Sequence, residues 1–179
     1  MSFFKLLVEL DLPRDIKKQG LLDILRKEAS EVDINEIMEF YVQLAKEGKY
    51  VQKSYLKEYL DAYVKGFIMR IKEIKEDMNH YVGYVDGNEL EKAVHLLREQ
   101  ETDMREINGY KGSYRIYPLI SLYTTFILDE PIHLVGTLFP GGFKVRYKDK
   151  IYYCPVKESQ KDNPHAVCGF CIAVQDEEV

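Results

Sequence analysis

The stretch from Ser54 to Met78 sets the tightest limit on the fold. Leu56, Leu60, Tyr63, Val64, Phe67, Ile71, Ile74 and Met78 recur at steps of three and four residues, the period that places side chains on one face of an α-helix. A helix of about 25 residues with one apolar stripe has to cover that stripe with other apolar faces. The neighbouring segments provide them. Ser2–Leu10 gathers Phe3, Phe4, Leu6, Leu7 and Leu10 on one side of a short helix. Pro13 suits the first turn of the next, which carries Ile16, Leu21, Leu22 and Leu25, with Gly20 as its weak point. Asp33-Ile-Asn-Glu36 and Asp86-Gly-Asn-Glu89 each have the spacing of a capping box. The aspartate can accept from amides in the first turn while the glutamate reaches back. The helices they open run through Ile37, Phe40, Tyr41 and Leu44 to a stop at Gly48, and through Leu90, Val94 and Leu97 to about Ile107.

Asn108-Gly-Tyr-Lys-Gly-Ser113 is the clearest break. The residues beyond it are few for an independent core, so it reads as a loop within one domain. Tyr114–Leu128 fits two patterns. Its β-branched and aromatic content suits a strand, whereas its length and the early Pro118 suit a buried helix, which is the expectation here.

Charge and composition narrow the function classes. With 179 residues, 46% of them hydrophobic and 31% charged, the chain can bury a real core as one globular domain. A net charge of −5 argues against a whole-chain nucleic-acid or anionic-membrane binder. The longest apolar run, Ile116–Leu128, is broken by Pro118 and too short for a bilayer core of about 30 Å. Glu9 and Asp11 fall where a signal peptide would keep its apolar centre.

After Pro131 the pattern changes. Pro140-Gly141-Gly142 marks a turn, Phe143–Tyr147 alternates apolar and charged residues, Lys148-Asp149-Lys150 reverses the chain, and Ile151-Tyr152-Tyr153 returns as a partner strand. That strand stops at Cys154-Pro155, because proline has no N–H for the ladder. Asn163-Pro164 can cap a turn or helix leading into Cys168-Gly-Phe-Cys171. All three cysteines therefore lie in this tail, spaced C-x13-C-x2-C. An odd number excludes a complete disulfide framework, and a reducing cytoplasm is the expected home. There, two thiols three positions apart, joined by one from a strand tip, suit a zinc ion. Zinc usually takes four ligands, and His133 or His165 is the candidate fourth, with water, a carboxylate or a partner's group as further options. An iron–sulfur cluster is the rival cofactor. The bland alternative is three small buried hydrophobes. A Cys154–His133 nucleophilic pair has no local signature to support it, and no phosphate loop, G-x-S-x-G or H-E-x-x-H motif is present.

The runs Pro131-Ile-His133-Leu-Val-Gly136, Phe139-Pro-Gly-Gly142, Tyr153-Cys154-Pro-Val-Lys157 and Asp162-Asn-Pro164 through Cys168-Gly-Phe-Cys171, with the spine around Tyr63–Arg70, resemble a family of small uncharacterised archaeal proteins. It is found chiefly in methanogens and catalogued as a domain of unknown function. The resemblance maps its three cysteines onto Cys154, Cys168 and Cys171 and its histidine onto His133. Position 165 is not one of its required histidines. Leu134 stands where the family commonly has proline, a departure that concerns the local backbone. The resemblance implies an archaeal cytoplasm and no established activity.

The expectation is a mainly α fold: a single-domain bundle of five to six helices (1–130) closed by a short β-hairpin and metal-binding segment (131–179). The leading function is zinc binding by Cys154, Cys168, Cys171 and His133, fixing the tail to the helices, with action through a protein partner. The alternative is a metalloenzyme with an open zinc or iron–sulfur site acting on a small metabolite. The third is a nucleic-acid module built on Lys144, Arg146, Lys148 and Lys150 with Tyr147, Tyr152 and Tyr153 as stacking groups.

Overall fold

The periodic stretches form helices and pack as their stripes require. The computed structural model describes Leu7 and residues 14–47, 53–106, 114–139 and 141–179. Among these residues are five long helices: α1 (Lys18–Ser30), α2 (Ile34–Glu47), α3 (Lys53–Glu76), α4 (Gly87–Glu106) and α5 (Ile116–Phe126). A single turn, α6 (Lys157–Gln160), follows near the C-terminus. The strands are short: β1 (Ile16–Lys17), β2 (Tyr84–Val85), β3 (Arg146–Lys148), β4 (Ile151–Cys154) and β5 (Val174–Gln175). The architecture is mainly helical, as the periodicity requires. The expected helix over Ser2–Leu10, apart from Leu7, lies outside the described residues, as do Pro13, Gly48, Asn108–Ser113 and Pro140. Among the described residues no helix is long and apolar enough to cross a membrane.

The ambiguous segment is the centre of the body. Helix α5 packs against α1, α3 and α4, and Ile116, Leu119, Ile120, Leu122 and Tyr123 are all buried. Its β-branched residues suit complete burial, not a strand. Pro118 sits in the first turn, where an N–H would have no helical partner. Ser121 and Thr124 hydroxyls donate to the carbonyls of Tyr117 and Ile120 at 2.8 and 2.9 Å, so these polar groups are satisfied inside the core. Leu21, Leu22 and Leu25 of α1, Phe67, Ile71 and Ile74 of α3, and Leu90, Val94 and Leu97 of α4 close around it. Each such side chain contributes about 1.5–3 kcal/mol on burial.

Three local expectations are corrected. The spine helix ends at Glu76, so Met78 is not on its stripe and is 79% exposed. Asp77 breaks the helix instead, turning its side chain to accept from Asn79 N–H at 2.9 Å. Asp33 and Asp86 do cap their helices, each taking two amides at 2.8–3.0 Å. Their glutamates turn elsewhere, however: Glu89 to Lys92 at 2.7 Å, and Glu36 to Arg115 Nε at 2.7 Å. Arg115, just before α5, also donates to Glu31 O at 2.9 Å, clamping the entry of α5 to the α1–α2 corner. Third, the hairpin is narrower than the alternation implied. Arg146–Lys148 pairs antiparallel with Ile151–Tyr153, while Lys144 bridges back to Leu138. A Cβ on Gly141 (φ +92°) would stand 2.7 Å from the Phe143 ring, so this turn needs glycine.

Two pairings were not legible. β1 and β2 join the approaches to α1 and α4 through Ile16↔Val85 and Lys17↔Tyr84. β5 lies parallel to β4, with Tyr153↔Val174 and Cys154↔Gln175. The tail is therefore a three-stranded sheet in the order β3–β4–β5, and a second small apolar cluster of Phe139, Val145, Cys154 and Ala173 packs on it.

Candidate functional site

Cys154 closes β4 and is 6% exposed. Its carbonyl accepts from Asp176 N–H at 3.0 Å, so the returning tail fixes its backbone. Beyond it the chain turns through Pro155 and Val156 into α6. Asn163 then starts a tight turn without a helix, its side chain accepting from His165 N–H at 2.9 Å. Val167 O accepts from the N–H groups of Phe170 and Cys171 at 3.3 and 3.1 Å, folding Cys168-Gly-Phe-Cys171 into a knuckle. Cys168 is 8% exposed and Cys171 half-buried.

The three thiols stand close enough for their charges to act on one another. Burial pushes Cys154 up, opposed by the N–H of Val156 and, more weakly, by Lys157 and its N–H; the Cys171 charge adds to the rise. Burial pushes Cys168 up to about 11, and Cys171 and Cys154 reinforce it while Lys157 opposes. As free thiols these two stay protonated at neutral pH. A bound cation would reverse that preference, because metal ligation requires thiolate. All three cysteines are free of disulfides. Among the described residues no group of three or more His, Cys, Asp or Glu side chains is arranged to hold a metal ion. The sulfurs share a neighbourhood in which each thiol's charge reaches another.

The two histidines lie apart from each other. His133 stands edge-on to Phe139 with ring centroids 5.4 Å apart, and so touches the cluster that holds Cys154. Burial pushes its imidazole down to about 4, which leaves it neutral, the form that binds metals. It also lines a cleft with Gly66, Phe67, Arg70, Ile132, Leu134 and Thr137. A Cβ on Gly66 would come within 3.3 Å of Leu134, so glycine lets α3 approach this segment closely. His165 is exposed and faces α4, with Nδ1 3.8 Å from Asp103.

The knuckle joins the two halves of the molecule. Val167 belongs to the helical core and Phe170 stacks on Phe126 of α5 at 6.2 Å. Cys171 packs against the helical core and the sheet cluster together. Gln100 of α4 donates to Pro164 O at 3.0 Å. Lys157, which closes the Tyr153–Lys157 run, donates to the carbonyls of Cys168 and, at 2.7 Å, Cys171. The basic hairpin is partly neutralised: Arg146 pairs with Asp176 at 2.8 Å and with Glu178 at 2.6 Å. Tyr147 and Tyr152 lie against each other at 4.5 Å.

A helical body carrying a small β appendage, with three thiols near the seam, is the class of protein that results. The chain belongs to the archaeal family described as "Uncharacterized protein conserved in archaea (DUF2115)", which matches residues 17–176. It is 38% identical over 159 residues to a UPF0305 protein of Methanothermobacter thermautotrophicus, covering 89% of this chain and 96% of that one. A UPF0305 protein of Methanococcus maripaludis is 30% identical over 158 residues, 88% of this chain and 96% of its own. Another from Methanocaldococcus jannaschii is 29% identical over 171 residues, 92% and 99% of the two chains. No solved structure matches at a significant level.

Proposed function

We propose that the chain binds one thiolate-preferring ion, zinc, through Cys154, Cys168 and Cys171, and that the ion fixes residues 131–179 to the helical body within a single domain. The observation that supports this most directly is the place of Cys171, packed against both apolar clusters while its charge acts on the other two thiols. Binding draws the three sulfurs inward from neighbouring positions into a shell. His133 is the proposed fourth donor, reached across Phe139, with His165 or a water as the other options. The reading also implies a reducing archaeal cytoplasm, which suits three free cysteines.

Two measurements test it. Elemental analysis after purification without oxygen should find about one zinc per chain. Stripping that zinc with a chelator should speed proteolysis within residues 131–175, because structural zinc contributes directly to folding free energy. Unchanged protease resistance after chelation would end the proposal.

One observation favours a second reading, an enzyme with an open zinc or iron–sulfur site acting on a small metabolite. The cleft beside His133 includes Arg70, whose Nε is buried without a hydrogen-bond partner among the described residues. A visible absorption band in the anoxic protein would select iron–sulfur over zinc.

A further inference from the structure

We infer that Lys157 is a positioning residue of the thiol site, its ammonium holding the Cys168–Cys171 knuckle by two carbonyls and balancing the charge of three thiolates around a divalent ion. The inference rests on the metal-binding reading and adds a residue that no ligand pattern would select.

Lys157 stands three residues beyond Cys154 and holds the other two cysteines. Its ammonium donates to Cys168 O and, at 2.7 Å, to Cys171 O, one at each end of the knuckle. Fixed second-sphere partners are what orient metal ligands. The turn bearing Lys157 is itself braced. Gln175 Nε2 donates to Pro155 O at 3.3 Å, and Gln175 Oε1 accepts from Glu158 N–H at 2.9 Å. A lysine side chain gives up rotamer freedom when held in one geometry, so a fixed one needs strong acceptors.

The charges argue the same way. The nearby cations face carboxylates: Lys161 meets Glu158 at 2.6 Å and Arg146 meets Asp176 at 2.8 Å. Lys157 faces two carbonyls, which carry no net charge and leave its own for the sulfurs. Three thiolates around a divalent ion sum to −1. The ammonium brings the site to zero, the balance that a half-dry seam favours. A neutral site also suits a neutral fourth donor, imidazole or water, over a fourth anion.

The test is a cobalt(II) titration of the full reduced chain under anoxic conditions, in competition with a chelator, read by the thiolate-to-cobalt absorption band. Lys157→Met should weaken cobalt binding by about 10–100-fold, the usual cost of losing a second-sphere partner. Lys157→Arg, which keeps the charge, should restore most of the loss. Should Lys157→Met fail to fold, Lys157→Gln retains a donor without the charge and carries the same comparison. Native affinity in the Met or Gln variant, or an equal loss in the Arg variant, overturns the role of Lys157 and leaves the metal site standing. A native chain with no cobalt–thiolate band overturns both.

Discussion

Asp77 sits buried where α3 has just ended, and three donors converge on it. Tyr123 OH from the centre of α5 donates at 2.7 Å, Tyr81 OH at 3.0 Å, and Asn79 N–H at 2.9 Å. Burial alone would raise this carboxyl, but the hydrogen bonds from Tyr123, Asn79 and Tyr81 outweigh it and hold it below its ordinary range. Burial and the facing carboxylate push Tyr123 up, so it remains a donor at all working pH values. Hydrogen bonds to a charged group are worth about 1.5–3 kcal/mol, and a buried hydroxyl left alone carries its own penalty. Asp77→Ala should therefore destabilise the chain by about 2–4 kcal/mol in urea unfolding followed by circular dichroism at pH 7. The sign of its pH dependence follows. A carboxyl lowered in the folded state contributes stability that is complete above the ordinary carboxylate range and fades as pH falls through its folded value. The gap between native and variant should shrink below about pH 4; a gap that stays constant to pH 2 would show that the charge on Asp77 does not matter.

At the scale of elements, the β3–β4 hairpin shows a local choice made against preference. It turns on Asp149 and Lys150, with φ of +52° and +64°, the two left-handed positions of a two-residue turn that matches strand twist. Asp tolerates that region, whereas a lysine there costs about 1–2 kcal/mol. Lys150→Gly should raise hairpin stability by about 0.5–1 kcal/mol, part of the relief being offset by the greater freedom of unfolded glycine. Slower amide exchange at Tyr152 and Tyr153 would register it, and unchanged or faster exchange would refute it. The hairpin was readable because Phe143–Tyr147 alternates and a polar Lys148-Asp149-Lys150 separates it from the apolar run Ile151–Tyr153. The long helices were readable for the same reason: α3 repeats its stripe over many turns, and Asp33 and Asp86 cap in the first turn as their spacing requires. What sequence could not carry were pairings of two residues. Ile16–Lys17, Tyr84–Val85 and Val174–Gln175 are too short to display a period of two, and their partners lie far along the chain. The three cysteines announced themselves by type and spacing. Lys157 did not, because a lysine in a segment that also carries Lys144, Arg146, Lys148, Lys150 and Lys161 looks like surface until its ammonium is seen on the carbonyls of Cys168 and Cys171. Glu36 illustrates the opposite error: its capping spacing is genuine, but Arg115, remote in sequence, is the stronger partner.

Over the whole molecule, the question is what keeps the β appendage on the helices. The two apolar clusters are unequal. The helical core gathers side chains from four helices, whereas the sheet cluster has Phe139, Val145, Cys154 and Ala173 at its centre. The smaller cluster can be expected to open first, since local stability follows buried apolar contact. Its attachments include Phe170 stacked on Phe126, Gln100 on Pro164 O, Val167 in the helical core, and Cys171 against both sides. Phe170 is the largest apolar side chain among these, and truncating a half-buried phenylalanine costs about 2 kcal/mol. Loss of that much from a local opening equilibrium multiplies the open population about 30-fold, and protease cleavage tracks that population when reclosing is fast. Phe170→Ala should thus accelerate cleavage between residues 155 and 175 by more than about tenfold in the metal-free chain, while helical circular dichroism is kept. If cleavage rises equally across α1 to α5, the appendage and the body unfold as one unit and the seam is not where the molecule parts. If it does not rise at all, the stack against Phe126 is not what holds the knuckle down, and the burden falls on Val167 and the contacts around Cys171.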